Sequence, residues 1–243
     1  MEAHRRYYQE SVTRWSHERY ALDKRFVHLT LLVDRGEDGP GPRWQPGSET
    51  FHDLAEVLAH VPEQAVVVLG PPGSGKSTLL RHFELDCARA ALAGQADHDL
   101  RQAPMTFFVP LNDFKPARDT HRLPLPKDWL AAQWATRYRD LPALETCLQE
   151  QRLTLLLDAL NEMPAAGPEP VQLWRDFLGE LEQTYPGNRV VFSCRTLDYS
   201  VLLSPRERPV RQVRIESLSD AQVEEFITLY SIARTMVQHC GRI

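Results

Sequence analysis

A three-layer α/β/α fold around a mostly parallel, five-stranded sheet is predicted by three features of this 243-residue sequence. Five short apolar runs, at residues 65–69, 105–109, 153–158, 189–194 and 210–215, alternate with segments of helical periodicity. Unbroken apolar strands of that kind belong to parallel sheets covered on both faces. The first run, AVVVL, passes directly into GPPGSGKST at residues 70–78 and then into a helix-forming segment. The composition, 42% hydrophobic and 25% charged, is that of a globular chain long enough to bury a core.

The elements follow in order. Residues 1–23 are polar, with Tyr8, Val12, Trp15, Arg19 and Leu22 at steps of three and four, which predicts a docking helix with one apolar stripe. Residues 24–34 (KRFVHLTLLVD) are β-branched and apolar and are expected to be extended. Residues 35–47, rich in proline and glycine, are expected to form a loop. Ser48 is placed to cap a helix running to about His60, with Phe51, Leu54, Val57 and Leu58 on its face and Pro62 as its stop. The helix after the first core strand is expected from Lys76 to about Ala93, ending near Gly94. In the polar stretch that follows, His98 between Asp97 and Asp99 has a spacing that suits no metal-ligand set. Asp128 precedes a helix with Leu130, Trp134 and Tyr138 at successive fours; no basic stripe accompanies these aromatics, so they are assigned to packing. Pro142 opens a further helix to about Gln151, and Val171, Trp174, Phe177, Leu178 and Leu181 mark an amphipathic one. The arginine-rich stretch 206–214 leads into the last strand and is expected to be a solvated sheet edge. Ser219-Asp220-Ala221-Gln222 forms a capping box for a final helix whose Val223, Phe226, Ile227 and Tyr230 are expected to face inward.

Composition excludes several function classes. The net charge of −5, from 28 Lys+Arg against 33 Asp+Glu, gives no basic field for nucleic acid or an anionic membrane. Cys87, Cys147, Cys194 and Cys240 form no CxxC pair, so neither zinc nor a disulfide framework is indicated and a reducing cytoplasm is expected. No apolar run approaches the ~20 residues that span a bilayer. The N-terminus lacks the apolar centre of a signal peptide.

The stretch Gly70, Pro71, Pro72, Gly73, Ser74, Gly75, Lys76, Ser77, Thr78 satisfies the pattern glycine, four residues, glycine, lysine, serine or threonine. A turn that wraps a polyphosphate must present backbone amides at close range, which the glycines permit. The helix beginning at Lys76 points its N-terminal amides and positive dipole end at the same phosphates. Lys76 is expected to reach the β and γ phosphates, and the Ser77 hydroxyl to take one Mg²⁺ position.

Two further strand ends join this loop at the carboxyl edge of the predicted sheet, where such folds bind ligands. LTLLLD ends in Asp158, a carboxylate suited to hold the Mg²⁺ with Ser77 through water. Glu162, one turn on, is placed to accept a proton from a water attacking the γ phosphate. Arg195 ends the next strand, where its guanidinium can fork onto γ-phosphate oxygens and register their presence.

Together GPPGSGKSTLL, LTLLLDALNEMP, VVFSCRTLDY and VRIESLSDAQVEEFI resemble the NACHT branch of the signal-transduction NTPases with numerous domains, bacterial members most of all. The resemblance covers about residues 26–230. It implies a P-loop NTPase fold with an extra strand between those bearing the first two motifs. It also implies ATP or GTP turnover coupled to a switch, the diphosphate state closed and the triphosphate state open to homo-oligomerise. By position, Lys76, Glu162 and Arg195 take catalytic roles, Ser77 and Asp158 the metal, and residues 70–78 the nucleotide. Many members carry a second aspartate where this chain has Asn161, which implies slow hydrolysis.

Three segments are expected: an N-terminal helical and extended part (1–47), the NTPase core (48–215) and the start of a helical lid (216–243). The family's winged helix and sensor array would follow, so a longer natural protein is expected. The weaker alternatives are a nucleotide-dependent scaffold with negligible turnover and a small-molecule kinase.

Overall fold

The computed structural model describes residues 1–17, 19–34, 49–94, 99–116, 122–164, 169–199, 203 and 210–240. The elements are α1 Glu2–Ser16, α2 Leu22–Arg25, β1 Leu31–Val33, β2 Thr50–Phe51, α3 Leu54–His60, β3 Ala65–Gly70, α4 Lys76–Ala93, β4 Met105–Pro110, α5 Pro126–Arg137, α6 Leu144–Gln149, β5 Leu153–Asp158, α7 Glu169–Thr184, β6 Arg189–Arg195, β7 Arg211–Ile215 and α8 Asp220–Cys240.

One sheet has the order β2-β1-β7-β3-β6-β5-β4. The strands β7, β3, β6, β5 and β4 run parallel and are the five expected. Two more are added at one side, β1 antiparallel to β7 and β2 antiparallel to β1. β1 comes from the extended segment at residues 24–34, which pairs with the ladder, and β2 from Thr50–Phe51, inside the stretch expected to be helical. The strand β6 lies between β3 and β5, which is the extra strand the family resemblance implies.

Side chains of successive strand residues go to opposite faces, and the core divides accordingly. Val67, Leu69, Phe107, Leu155, Leu157 and Phe192 face one layer with Trp129, Leu130, Trp134, Trp174 and Phe177 of α5 and α7. Val66, Val68, Phe108, Leu156, Val191 and Val213 face the other with Leu54, Val57, Leu79, Leu80 and Leu85 of α3 and α4. Leu130, Trp134 and Tyr138 are all buried, as packing requires. α1 passes across the sheet's margin, with Tyr7 and Tyr8 in the first layer and Trp15 in the second. There the Tyr7 hydroxyl donates to the Thr106 carbonyl and accepts from the Thr106 N–H at 2.9 Å. Among the described residues β4 pairs with no strand but β5, and this side chain satisfies backbone groups that the ladder leaves open.

Five expectations are corrected. The first helix stops at Ser16, and Ala21, in the left-handed region at φ 44°, starts the short α2, so Leu22 joins the core on a separate turn. The helix placed from Ser48 begins at Leu54; Asp53 caps it, accepting from Glu56 N at 2.7 Å while Glu56 returns a bond to His52 N at 2.8 Å. Phe51 thereby falls in β2, and Ser48, the loop 35–47 and His98 lie outside the described residues. The helix expected from Pro142 starts at Leu144. The arginine-rich stretch is not an edge where it is described: β7 lies between β1 and β3, and Arg211 donates to the Asp34 carbonyl at 3.1 Å and to Glu63. Finally, the capping box of α8 forms, Ser219 N to Gln222 Oε1 at 2.8 Å and Gln222 N to Ser219 Oγ at 3.3 Å. Its Val223, Phe226, Ile227 and Tyr230, however, are 40–56% exposed. The helix leaves the sheet and meets α2, so no layer of described residues covers that face.

Candidate functional site

The turn after β3 and the start of α4 bring residues 70–78 to the carboxyl edge of the parallel strands. Gly75 sits at φ 90°, where an L side chain is strained, and its carbonyl accepts the first hydrogen bond of α4, from Leu79 N at 2.8 Å. Gly70 packs closely under the turn: a Cβ there would lie 2.4 Å from Ser74 Oγ, so the Ser74 hydroxyl would have to move. Lys76 curls back over the turn, its Nζ donating to Gly70 O at 2.9 Å, Pro71 O at 2.8 Å and Ser74 Oγ at 3.4 Å. Burial draws its pKa below the ordinary lysine value, and the Arg195 guanidinium adds to that. Such a lysine is held ready for an anion, which would relieve both effects.

Asp158 ends β5 and is 4% exposed. One of its oxygens, Oδ1, accepts from Ser77 Oγ at 2.9 Å and from Ser193 Oγ at 2.6 Å. The Ser193 hydroxyl also accepts from Ala159 N at 2.8 Å. Ala159 takes φ 63°, in the left-handed region that few non-glycine residues adopt, so the chain turns abruptly after the carboxylate. Arg81 approaches the second oxygen, Oδ2, at 4.0 Å.

Glu162 and Arg195 meet as an exposed ion pair, Arg195 Nη2 to Glu162 Oε1 at 3.3 Å, with Asp198 at 3.9 Å from the same guanidinium. In this structure Glu162 therefore pairs with a cationic side chain, the alternative to a free carboxylate at that position. Asn161 Oδ1 accepts from the Arg195 amide at 3.1 Å, tying the 3₁₀ turn after β5 to the end of β6. Beside Arg195, burial pushes the Cys194 thiol up to about 11, which leaves it protonated.

All the residues singled out in the sequence thus converge on three adjacent strand ends. Gly70 pairs in register with Arg195, and the β5–β6 register that aligns Leu157 with Phe192 brings Asp158 beside Ser193. Ser193 and Arg81 escaped the sequence reading. The signal for Ser193 was a lone hydroxyl in an apolar strand, which gains meaning only once β5 and β6 are known to be neighbours.

Ser77 Oγ and the Asp158 carboxylate are hard oxygen donors of the kind Mg²⁺ takes alongside phosphate and water, and they already touch. Among the described residues no group of three His, Cys, Asp or Glu side chains converges on a metal position. An arrangement that leaves most coordination positions to ligand oxygens fits Mg²⁺ better than a protein-only cage. Two cavities, of about 280 and 680 Å³, open along later turns of α4, at Phe83 and Ala90 and at Cys87 and Pro104, away from this edge. A turn that binds by its backbone amides needs no such pocket. No helix of the described residues is long and apolar enough to cross a membrane.

The family model described as NACHT domain matches residues 64–234. Among solved structures, the chain is similar to the Walker-type ATPase PABY2304 of Pyrococcus abyssi, at 14% identity and a TM-score of 0.42. The match covers 72% of this chain and 54% of that one, so this chain spans about half the length of that protein. No curated protein matches the chain.

Proposed function

The chain belongs to the NACHT family of P-loop NTPase domains, and on that premise we propose that it binds a nucleoside triphosphate, ATP by preference, with Mg²⁺ and hydrolyses it slowly as a regulatory switch. The observation that carries this is the hydrogen bond from Ser77 to Asp158 at 2.9 Å. It joins the phosphate turn to the acidic strand end across 81 residues of chain, at the point where a metal on a polyphosphate would be held.

In this proposal the backbone N–H groups of residues 73–78 and the Lys76 ammonium bind the phosphates; Lys76 exchanges the carbonyls of Gly70 and Pro71 for phosphate oxygens. Ser77 and Asp158 hold Mg²⁺, which when bound offsets charge on the β and γ phosphates. Arg195 turns from Glu162 towards the γ phosphate, and Glu162, released, orients the attacking water and takes its proton. With Asn161 where a second carboxylate would stand, one base does this alone, so turnover is slow. The partners of such a switch are the nucleotide and, on activation, further copies of the chain in the cytoplasm. A defence role is one setting for it.

A second reading, a nucleotide-dependent scaffold without turnover, is favoured by the Arg195–Glu162 pair, which in this structure occupies both groups. The test is to identify nucleotide released on denaturation and to follow phosphate release from MgATP and MgGTP. Lys76→Ala should abolish nucleotide binding. Glu162→Gln should keep it and lose hydrolysis. Normal affinity in Lys76→Ala would sink the phosphate-site assignment; unchanged turnover in Glu162→Gln would remove the assigned base; binding with no turnover in the wild type would favour the scaffold.

A further inference from the structure

One cation beside the site has no part in the roles above. Arg81 lies on α4, four residues after Ser77, and its Nη2 stands 4.0 Å from Asp158 Oδ2. Its guanidinium is seated among three aromatic rings: the carbon centre lies 5.4 Å from the Trp15 ring, 5.4 Å from Tyr20 and 5.2 Å from Phe108. Its Nε is buried and meets no acceptor among the described residues. A charge held by ring faces, and by only one distant carboxylate oxygen, can shift without breaking a strong hydrogen bond.

The rings are themselves fixed. Trp15 donates its indole N–H to Glu84 Oε2 at 3.0 Å, and Glu84 is fully buried one turn beyond Arg81 on the same helix. Ser11 donates to the other oxygen, Oε1, at 3.4 Å, and Arg14 stands 3.8 Å from it. Trp15 meets Tyr20 and Phe108 edge-on, at 5.1 and 5.5 Å between ring centres. The N-terminal helix α1 thus holds one side of the seat in which Arg81 faces the acidic strand end.

We propose that Arg81 is a positioning residue for Asp158: it counters the carboxylate while no cation is bound, yields when a divalent cation takes Oδ2, and passes that change to Trp15 on α1. The proposal rests on the Mg²⁺-nucleotide reading above. Its physical content is a competition. Oδ1 stays oriented by Ser193 whatever happens to Arg81. The guanidinium therefore contributes mainly a positive charge that an incoming cation must approach. Removing the charge should ease cation binding, whereas a residue needed only for packing would weaken binding or leave it unchanged.

The experiment uses the full chain, a fluorescent ADP analogue and a Mg²⁺ titration starting from EDTA, in the wild type and in Arg81→Met, Arg81→Gln and Arg81→Lys. Both uncharged variants should keep their nucleotide affinity in EDTA and reach half-saturation at about 3- to 10-fold lower Mg²⁺, the size of effect expected from one nearby charge at high effective dielectric. Arg81→Lys should stay within about twofold of the wild type. Trp15 emission, isolated by subtracting Trp15→Phe, should change when Mg²⁺ joins the bound nucleotide and should cease to change in Arg81→Gln. An equal or higher Mg²⁺ requirement in both uncharged variants overturns the assignment, as does a Trp15 response that persists without the charge. If the wild type itself binds no nucleotide, both the assignment and the function it rests on fall; if it binds normally and only the Arg81 variants fail the expectation, the function stands alone.

Discussion

Ser193→Ala removes one buried hydroxyl and with it the two hydrogen bonds that this side chain makes to the acidic end of β5. The bond to Asp158 Oδ1, at 2.6 Å, is charge-assisted and contributes about 1.5–3 kcal/mol; the one from Ala159 N, at 2.8 Å, is neutral and contributes about 1 kcal/mol. Ser77 still donates to the carboxylate at 2.9 Å, so the loss should fall near the lower middle of that range, about 3 kcal/mol. For a chain of this size each kcal/mol moves the melting temperature by roughly 2–4 °C, so a fall of about 6–12 °C is expected. Thermal unfolding monitored by circular dichroism measures this directly. The variant should also need more Mg²⁺ to retain nucleotide, because Asp158 loses its firmest support and rotates more freely. Its shift would then be opposite in sign to that of the uncharged Arg81 variants. A melting temperature within 2 °C of the wild type, with an unchanged Mg²⁺ requirement, would refute the view that Ser193 orients Asp158.

Two further predictions concern the junction of α1 with the core. Tyr7→Phe leaves the Thr106 N–H and carbonyl without their partner at the unpaired side of β4. It should cost about 1–3 kcal/mol in denaturant unfolding, and a loss under 0.5 kcal/mol would mean that other groups satisfy that strand. Burial holds the Glu84 carboxyl above the usual carboxylate range, with Arg14 opposing the shift. A carboxyl whose folded pKa is raised contributes stability that is full below its unfolded value, about 4.5, and is lost as pH rises through the folded value. Glu84→Gln cannot titrate, so its melting temperature relative to the wild type should rise between pH 4.5 and 7.5. A difference that stays constant across that interval would count against this sign.

Much of the site was legible because its chemistry is local in sequence. The spacing of Gly70, Gly75, Lys76 and Ser77 is a condition on one turn and one helix start, and both formed where the pattern put them, with α4 at Lys76–Ala93. Asp158 and Arg195 could be assigned to strand ends because each follows an apolar run whose length sets where the strand stops. By contrast, Val223, Phe226, Ile227 and Tyr230 show how periodicity misleads: it identifies a helix with an apolar face and says nothing about what covers that face.

The sequence by itself determined the fold class, the five parallel strands and the residues gathered at their carboxyl edge, because period, capping and turn chemistry act over a few residues at a time. Only the tertiary structure decided that β1 and β2 extend the sheet, that β7 is interior and that Ser193 stands beside Asp158. It also decided that Arg81 faces that carboxylate from a seat partly built by α1. Each of these depends on which strands and helices become neighbours. That choice is made by how whole faces bury against one another, and no short stretch of chain encodes it.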